Sequence, residues 1–301
     1  MHPVGLLYPL SENVSRSTFP VFYGHESGMT GTSNRLGFRT SQSEKEEMKD
    51  KTYEDKEYWS RVYRLADYPE KEHVTLDGND GESEFDDRIL KATKGKEVLD
   101  VGCGDGSFTL EIGKRARRVV GVDFSEEALV KAMKNQSIAG QANVRFEQAD
   151  ANNLPFADAE FDVVVSRRGP ATASRGRLSE AHRVLKRNGL LMEITIGEKD
   201  KENLARIFGR GQMYGVKERI AISKERMLEQ AGFKEIRITD YIATEIFPSM
   251  KRLIIRLNDS PIIPGFDTRK DDNFLATVEK RCKTSRGIET PAHRLTIIAR
   301  K

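Results

Sequence analysis

The sequence predicts an α/β protein, a mostly parallel sheet wound with helices on both faces, and two observations carry that reading. From Phe85 onward, apolar runs of strand length alternate with helical stretches, the pattern of strand–helix–strand units. Within that pattern, Val98-Leu-Asp-Val-Gly-Cys-Gly-Asp-Gly-Ser-Phe108 reads as a buried strand that breaks into three alternate glycines, Gly102, Gly104 and Gly106, before a helix. After one short helix, Val119-Val-Gly-Val-Asp123 reads as a second buried strand ending on a carboxylate. Glycines let a backbone turn sharply and pass close to a ligand, because no Cβ stands in the way. A carboxylate at the tip of the next strand is placed to accept two ribose hydroxyls. Together they point to an adenosine-containing cofactor.

The elements follow in order. An entry helix is expected from Phe85 to about Lys94. Strands are expected at Glu97–Val101, Arg118–Asp123, Val144–Ala149, Phe161–Ser166 and Gly189–Thr195, with helices at Ser107–Lys114, Glu126–Lys134 and Arg177–Leu185 between them. Ser125 before Glu126 and Glu127 is a good helix start, a hydroxyl cap with acids in the positive first turn. Asn188-Gly189 is expected to close the helix ahead of the fifth strand. Helices at Asp200–Phe208 and Ser223–Gln230, a sixth strand near Glu235–Ile246 and a seventh at Arg294–Ala299 complete the sheet.

Residues 1–45 show neither period and are rich in Ser, Thr and Gly, so they read as a poorly ordered extension. Residues 46–301 form the domain, with 85–200 as its cofactor-binding core. Tyr58, Trp59, Val62 and Tyr63 recur at helical spacing, which predicts an amphipathic helix packed on the domain. His73–Glu84 is a polar connector with two glycines, read as a hinge. Residues 248–291 look like a helical insertion between the last two strands, and long insertions in compact domains often act as lids or substrate loops.

Composition removes several classes of function. The 301 residues are 37% hydrophobic and 32% charged, and no apolar run reaches the roughly 18 residues a membrane span needs. The N-terminus lacks a basic region and is broken by prolines, which argues against a secretory leader. Fifty basic against 47 acidic residues leave a net charge of +3, so long nucleic acids are not demanded as partners. Cys103 and Cys282 stand far apart, forming neither a disulfide framework nor a metal site, which fits a reducing cytoplasm. Cys103 inside the turn reads as a small packing residue. Nothing in the sequence specifies an oligomeric state.

The glycine spacing narrows the cofactor. A dinucleotide fingerprint G-x-G-x-x-G counted from Gly102 would put its third glycine at position 107, which is Ser107. The phosphate-cradling G-x-x-x-x-G-K-[ST] also fails, since Phe108 holds the first glycine's place before Gly113-Lys114 and Arg115 follows. What remains is D-x-G-x-G-x-G from Asp100 to Gly106. This stretch resembles motif I of the class I S-adenosylmethionine-dependent methyltransferases, and Asp123 resembles that family's ribose-binding acid. Gln148-Ala-Asp-Ala-Asn-Asn-Leu-Pro-Phe156 is similar to the family's motif after the third strand.

The resemblance covers roughly residues 85–200. It implies a Rossmann-like, doubly wound sheet of seven strands with the last one antiparallel, and S-adenosylmethionine as cofactor. It further implies that Asp123 takes the ribose diol with Phe124 as a wall for the adenine. Asp150 would accept the adenine amino group and the Ala151 amide would donate to the ring. Asp100, Gly102 and Gly104 would face the methionine end beside Gly106, and Ser166 would line the floor. The chain has Arg187-Asn188-Gly189 where the family usually carries Pro-Gly-Gly, which affects turn geometry.

Methyl transfer from a sulfonium is an in-line displacement in which proximity supplies much of the rate, so no catalytic triad is required and none is visible. Ser166-Arg-Arg-Gly-Pro170 lacks the Asn/Asp-Pro-Pro-aromatic motif of enzymes that methylate exocyclic amines. Arg167 and Arg168 either clamp a carboxylate or phosphate of a substrate or make ion pairs within the domain. Phe208-Gly-Arg-Gly-Gln-Met-Tyr-Gly215 is either a substrate loop, with Arg210, Gln212 and Tyr214 as contacts, or a plain loop. In the proteins this chain resembles, N-terminal helices often roof the cofactor site, so Trp59 joins Arg167, Arg168 and Tyr214 as candidate substrate residues, and His182 reads as structural. The expected function is methylation of O, N or C of a small-molecule metabolite. The alternatives are an RNA or protein methyltransferase, a cofactor-binding scaffold without catalysis, and an NAD-linked oxidoreductase, the last disfavoured by Ser107.

Overall fold

The computed structural model describes residues 74–169, 174–258 and 260–301. The predicted extension and the Tyr58–Tyr63 aromatics, Trp59 included, lie outside them. The described chain forms β1 (Thr75–Asp77), α1 (Glu82–Ala92), β2 (Glu97–Val101), α2 (Ser107–Gly113), β3 (Arg118–Asp123), α3 (Glu126–Ala139), β4 (Val144–Gln148) and β5 (Phe161–Arg167). It continues through α4 (Arg175–Val184), β6 (Leu185–Ile196), α5 (Glu202–Phe208), α6 (Ile220–Gln230), β7 (Lys234–Phe247), α7 (Met250–Asn258), α8 (Asp272–Cys282), β8 (Lys283–Thr284) and β9 (Gly287–Arg300).

These strands make one nine-stranded sheet of order β1-β7-β9-β6-β5-β2-β3-β4, with β8 paired to β9. The strands from β2 to β6 run parallel, and β9 lies antiparallel between β6 and β7. The seven expected strands are all present. The additional two are β1 and β8, of three and two residues, too short to leave a periodic signal. β1 pairs with β7 through Thr75↔Ile246 and Asp77↔Thr244, so Thr75–Asp77 of the expected hinge are pinned to the edge of the sheet.

Strands buried on both faces must be apolar throughout, and Val98, Leu99, Val119, Val120, Val163 and Val164 are all at most 2% exposed. One face is covered by α1, α2 and α3 through Phe85, Ile89, Ile112 and Leu129, and the other by α4 and α6 through Leu178, Val184 and Leu228. Ser125 caps α3 as expected, its hydroxyl accepting the Ala128 amide at 3.2 Å. The helix before β6 ends at Val184 and passes directly into the strand at Leu185. Asn188 does not close it; this residue holds a left-handed φ of 63° inside β6 and donates its amide to the Lys301 carbonyl.

β9 begins at Gly287 rather than Arg294, which shortens the insertion to residues 248–286. The early half was hidden in the sequence because Glu289, Thr290 and His293 break the apolar pattern, although Thr290 and His293 are buried at 1% exposure. The insertion supplies α7 and α8. Their Leu253, Leu257, Leu275 and Val278 form a third core with Leu204 and Phe208 of α5 and with Phe247 and Ile288 of the sheet.

Candidate cofactor and acceptor site

Chain order runs β2, β3, β4 outward on one side and then returns to place β5 on the other side of β2. The crevice beyond the carboxyl ends of β2 and β5 is therefore the switch point where open α/β sheets hold ligands. The glycine turn sits in it. Gly102 and Cys103 donate their amides to the Val122 carbonyl at 2.8 and 3.0 Å, which folds the chain sharply off the end of β2. Gly106, at φ 75°, leads into α2, and a Cβ there would lie 2.4 Å from the Phe146 ring. Only glycine satisfies both the left-handed backbone and that contact.

Asp123 closes onto this turn. Its Oδ2 accepts the Gly104 amide and its Oδ1 the Ser125 amide, both at 3.0 Å, and the side chain is nearly buried. Burial raises its pKa, with the amides opposing. Asp100, 2% exposed, takes the Thr109 hydroxyl on Oδ2 at 2.7 Å and so ties β2 to α2. Burial pushes its carboxyl up to about 6, opposed by the Thr109 hydrogen bond and by Arg167.

Neighbouring strands bring the other expected residues alongside. Gln148 of β4 pairs with Asp123, and its side chain donates to the carbonyl of half-buried Phe124 at 2.9 Å. Asp150 is exposed just beyond, with Oδ1 accepting the Asn152 amide at 2.8 Å, while Ala151 is buried in the core. Ser166, fully buried, donates its hydroxyl to the Val101 carbonyl at 2.9 Å. A Cβ on Gly169 would lie 2.4 Å from that carbonyl oxygen, so the β5 exit rests directly on the glycine turn.

Arg167 and Arg168 both reach ion pairs inside the domain. Arg167 Nε lies 2.8 Å from Asp86 of α1, and its guanidinium stacks 4.5 Å above the Phe108 ring. Glu82 faces Arg167 at 3.7 Å, Arg168 at 3.4 Å and Arg294 at 3.2 Å. Burial pushes Glu82 up, but the three arginines outweigh it and hold the carboxyl below its ordinary value. Burial carries Asp86 up to about 6 against the pull of Arg167.

Tyr214 is 42% exposed on a loop that is bound to the insertion. Within that loop Arg210 forks onto both oxygens of Asp271 at 2.7 and 2.9 Å, and the Gln212 amide donates to the Ile262 carbonyl. Arg210, a contact in the substrate-loop reading, is thus tied to Asp271 of the insertion. His182 packs edge-on against Phe233, as a structural residue should. Sequence reasoning did not find Glu82, Asp86 or Arg294; the i,i+4 pair of acids opening α1 was the one local signal.

Residues 92–238 match the family model described as "Methyltransferase domain". The chain carries a class I S-adenosylmethionine-dependent methyltransferase domain. Over 102 residues it is 40% identical to the demethylmenaquinone methyltransferase of Deinococcus radiodurans, covering 32% of this chain and 42% of that protein. Over 94 residues it is 36% identical to the uncharacterized methyltransferase YcgJ of Bacillus subtilis, covering 31% of this chain and 37% of the relative. The chain thus matches about two fifths of these curated relatives' own length. The YcgJ crystal structure superposes with a TM-score of 0.56 at 18% identity, over 73% of this chain and 99% of that one, which establishes a shared fold. Among the described residues, no helix of the methyltransferase domain is long and apolar enough to cross a membrane.

Proposed function

We propose that this chain methylates an O, N or C nucleophile of a small-molecule acceptor, with S-adenosylmethionine bound at the glycine turn. The observation that carries this reading is the hydrogen bond from the Gly104 amide to Asp123, which makes the sharp turn and the expected ribose acid one rigid unit. A carboxylate offers about four acceptor positions, and the Gly104 and Ser125 amides occupy one on each oxygen, which leaves room for a diol. Asp100, Gly102, Gly104 and Gly106 would hold the methionine end, Phe124, Asp150 and Ala151 the adenine, and Ser166 the floor through its bond to Val101. When bound, S-adenosylmethionine supplies an electrophilic methyl group on a sulfonium. The chain's own residues orient and shield it, and the acceptor would lie beyond the β5 exit, walled by α1 and by the insertion. A small-molecule acceptor is supported by the relative named for demethylmenaquinone methylation and by the nearly balanced charge.

Isothermal titration calorimetry tests this. The full chain should bind S-adenosylmethionine and its demethylated product, and Asp123→Ala should weaken both about a hundredfold, as expected for losing two hydrogen bonds to a charged group. Unchanged affinity in the variant would sink the ribose assignment.

A further inference from the structure

We propose that Arg183, Glu180 and Asn152 are positioning residues that make the cofactor site selective for adenine over a 6-oxopurine; this rests on the adenine lying against Asp150 and Ala151. Between β4 and β5 the chain makes only the single bridge Asp150↔Asn153, so its backbone polar groups need partners from elsewhere. α4 provides them. Arg183 has five N–H donors, and all five are used. Nε and Nη2 donate to the two oxygens of Glu180 at 2.8 Å each, and Nη2 also donates to the Leu154 carbonyl at 2.9 Å. Nη1 donates to the Phe156 carbonyl at 2.7 Å and to Asp158 at 3.0 Å. Glu180 in turn accepts the Leu154 amide at 2.8 Å, and the Arg183 carbonyl accepts the Ala159 amide at 3.0 Å.

This brace grips the loop just after the turn that carries Asp150. Before the turn, the Ala149 amide donates to the Asp123 carbonyl at 3.1 Å. Within it, the Asn153 amide donates to the Asp150 carbonyl at 2.9 Å. Beyond it, Leu154 and Phe156 are buried in the core, with Phe156 edge-on to Phe161. The turn is thus held at both ends, which sets its tip at a fixed place relative to Asp123.

Asn152 then orients the carboxylate itself. Its backbone and side-chain amides both donate to Asp150 Oδ1, at 2.8 and 2.9 Å, while no described residue donates to Oδ2. The Asn152 Oδ1 accepts the hydroxyl of Ser174, the cap of α4, at 3.4 Å. Oδ2 is left for a donor on the base, which adenine has in its 6-amino group and a 6-oxopurine lacks. The neighbouring ring nitrogen inverts as well: it accepts in adenine, as the Ala151 amide requires, and carries a hydrogen in hypoxanthine. Mispairing of such groups is what gives a hydrogen-bonding site its discrimination. That discrimination lasts only while Asp150 and Ala151 keep their places.

Calorimetry on the full chain compares S-adenosylhomocysteine with S-inosylhomocysteine, which carries the 6-oxo group instead. The wild type should prefer the adenosyl ligand about tenfold or more. Arg183→Ala and Asn152→Ala should each weaken the adenosyl ligand and leave the inosyl ligand almost unchanged, so that the preference shrinks about threefold or more. Asn152 is exposed, so its variant decides the matter even where Arg183→Ala fails to fold. A purely structural loss lowers the folded fraction, weakens both ligands alike and leaves their ratio where it was. Equal affinities in the wild type, or an unchanged ratio in the variants, overturns this inference alone, since S-adenosylhomocysteine still binds. A wild type that binds neither ligand sinks the cofactor reading and this inference with it.

Discussion

At the end of β3 the Asp123 carboxylate is held by two backbone amides, Gly104 and Ser125, that lie within 20 residues of it. Across the sheet, Asp200 ahead of α5 is held by its neighbour Lys201 and by two groups of the distant strand β9. Arg294 lies at 2.6 Å, the His293 amide at 3.1 Å and the Lys201 ammonium at 3.4 Å from the same oxygen. Both carboxylates are buried, yet they solve that burial differently. The proposed cofactor half uses main-chain dipoles and close glycine contacts, which are rigid and indifferent to side-chain identity. The proposed acceptor half uses a network of ion pairs linking α1, the β6–α5 connection, β7 and β9, which can be retuned by single substitutions.

The largest effect should come from breaking that network. Asp200→Ala leaves Arg294, whose side chain is 8% exposed, and Lys201, at 3%, without a shared counter-charge. Removing one partner of a buried ion pair costs about 3 kcal/mol or more. Guanidinium denaturation should show that loss. A change below about 1 kcal/mol would mean that Glu82 and Glu245 suffice, and the contrast between the halves would weaken.

The matching break in the cofactor half is steric. Gly106→Val places a β-branched residue at φ 75° with its Cβ driven into the Phe146 ring and near Ala132. The backbone strain and the overpacking together should cost about 2–3 kcal/mol. Gly140 also holds a left-handed φ, 64°, but a Cβ there meets nothing within 4 Å, so Gly140→Ala should cost about 1 kcal/mol. Equal losses at the two positions would show that conformation alone, not the fit against Phe146, fixes Gly106.

The same contrast decides what could be read from the sequence. The glycine turn, β2 and β3 were legible to the residue because strand, turn and acid are local and their residue types are dictated by backbone geometry. The start of β9 and the pinning of Thr75–Asp77 were not, since both depend on pairing with β7. Arg167 and Arg168 stood out as a pair, but their carboxylate partners on α1 precede them by some 80 residues, and no spacing rule joins the two. The role of Arg210 stayed open between substrate loop and plain loop for the same reason, its partner Asp271 being 61 residues on.

The smallest effect tests whether the cofactor half is strained for function. The folded protein keeps the Asp100 carboxyl protonated up to about pH 6, whereas the unfolded chain releases that proton near pH 4. Ionisation therefore favours the unfolded state, and wild-type stability should fall as pH rises from 4 to 6 and stay low above it. Asp100→Asn removes the buried charge while keeping an acceptor for the Thr109 hydroxyl. At pH 8 it should stabilise the fold by about 1–2 kcal/mol, less than the full shift because the bond to a neutral amide is weaker. The fall between pH 4 and 6 should shrink without vanishing, since Asp86 titrates in the same window. Urea melts across pH measure both, and calorimetry on the same variant reads cofactor affinity. A variant that is more stable but binds S-adenosylmethionine more weakly marks Asp100 as a charge kept buried for the ligand. One that is less stable at pH 8 would assign Asp100 to holding α2 in place.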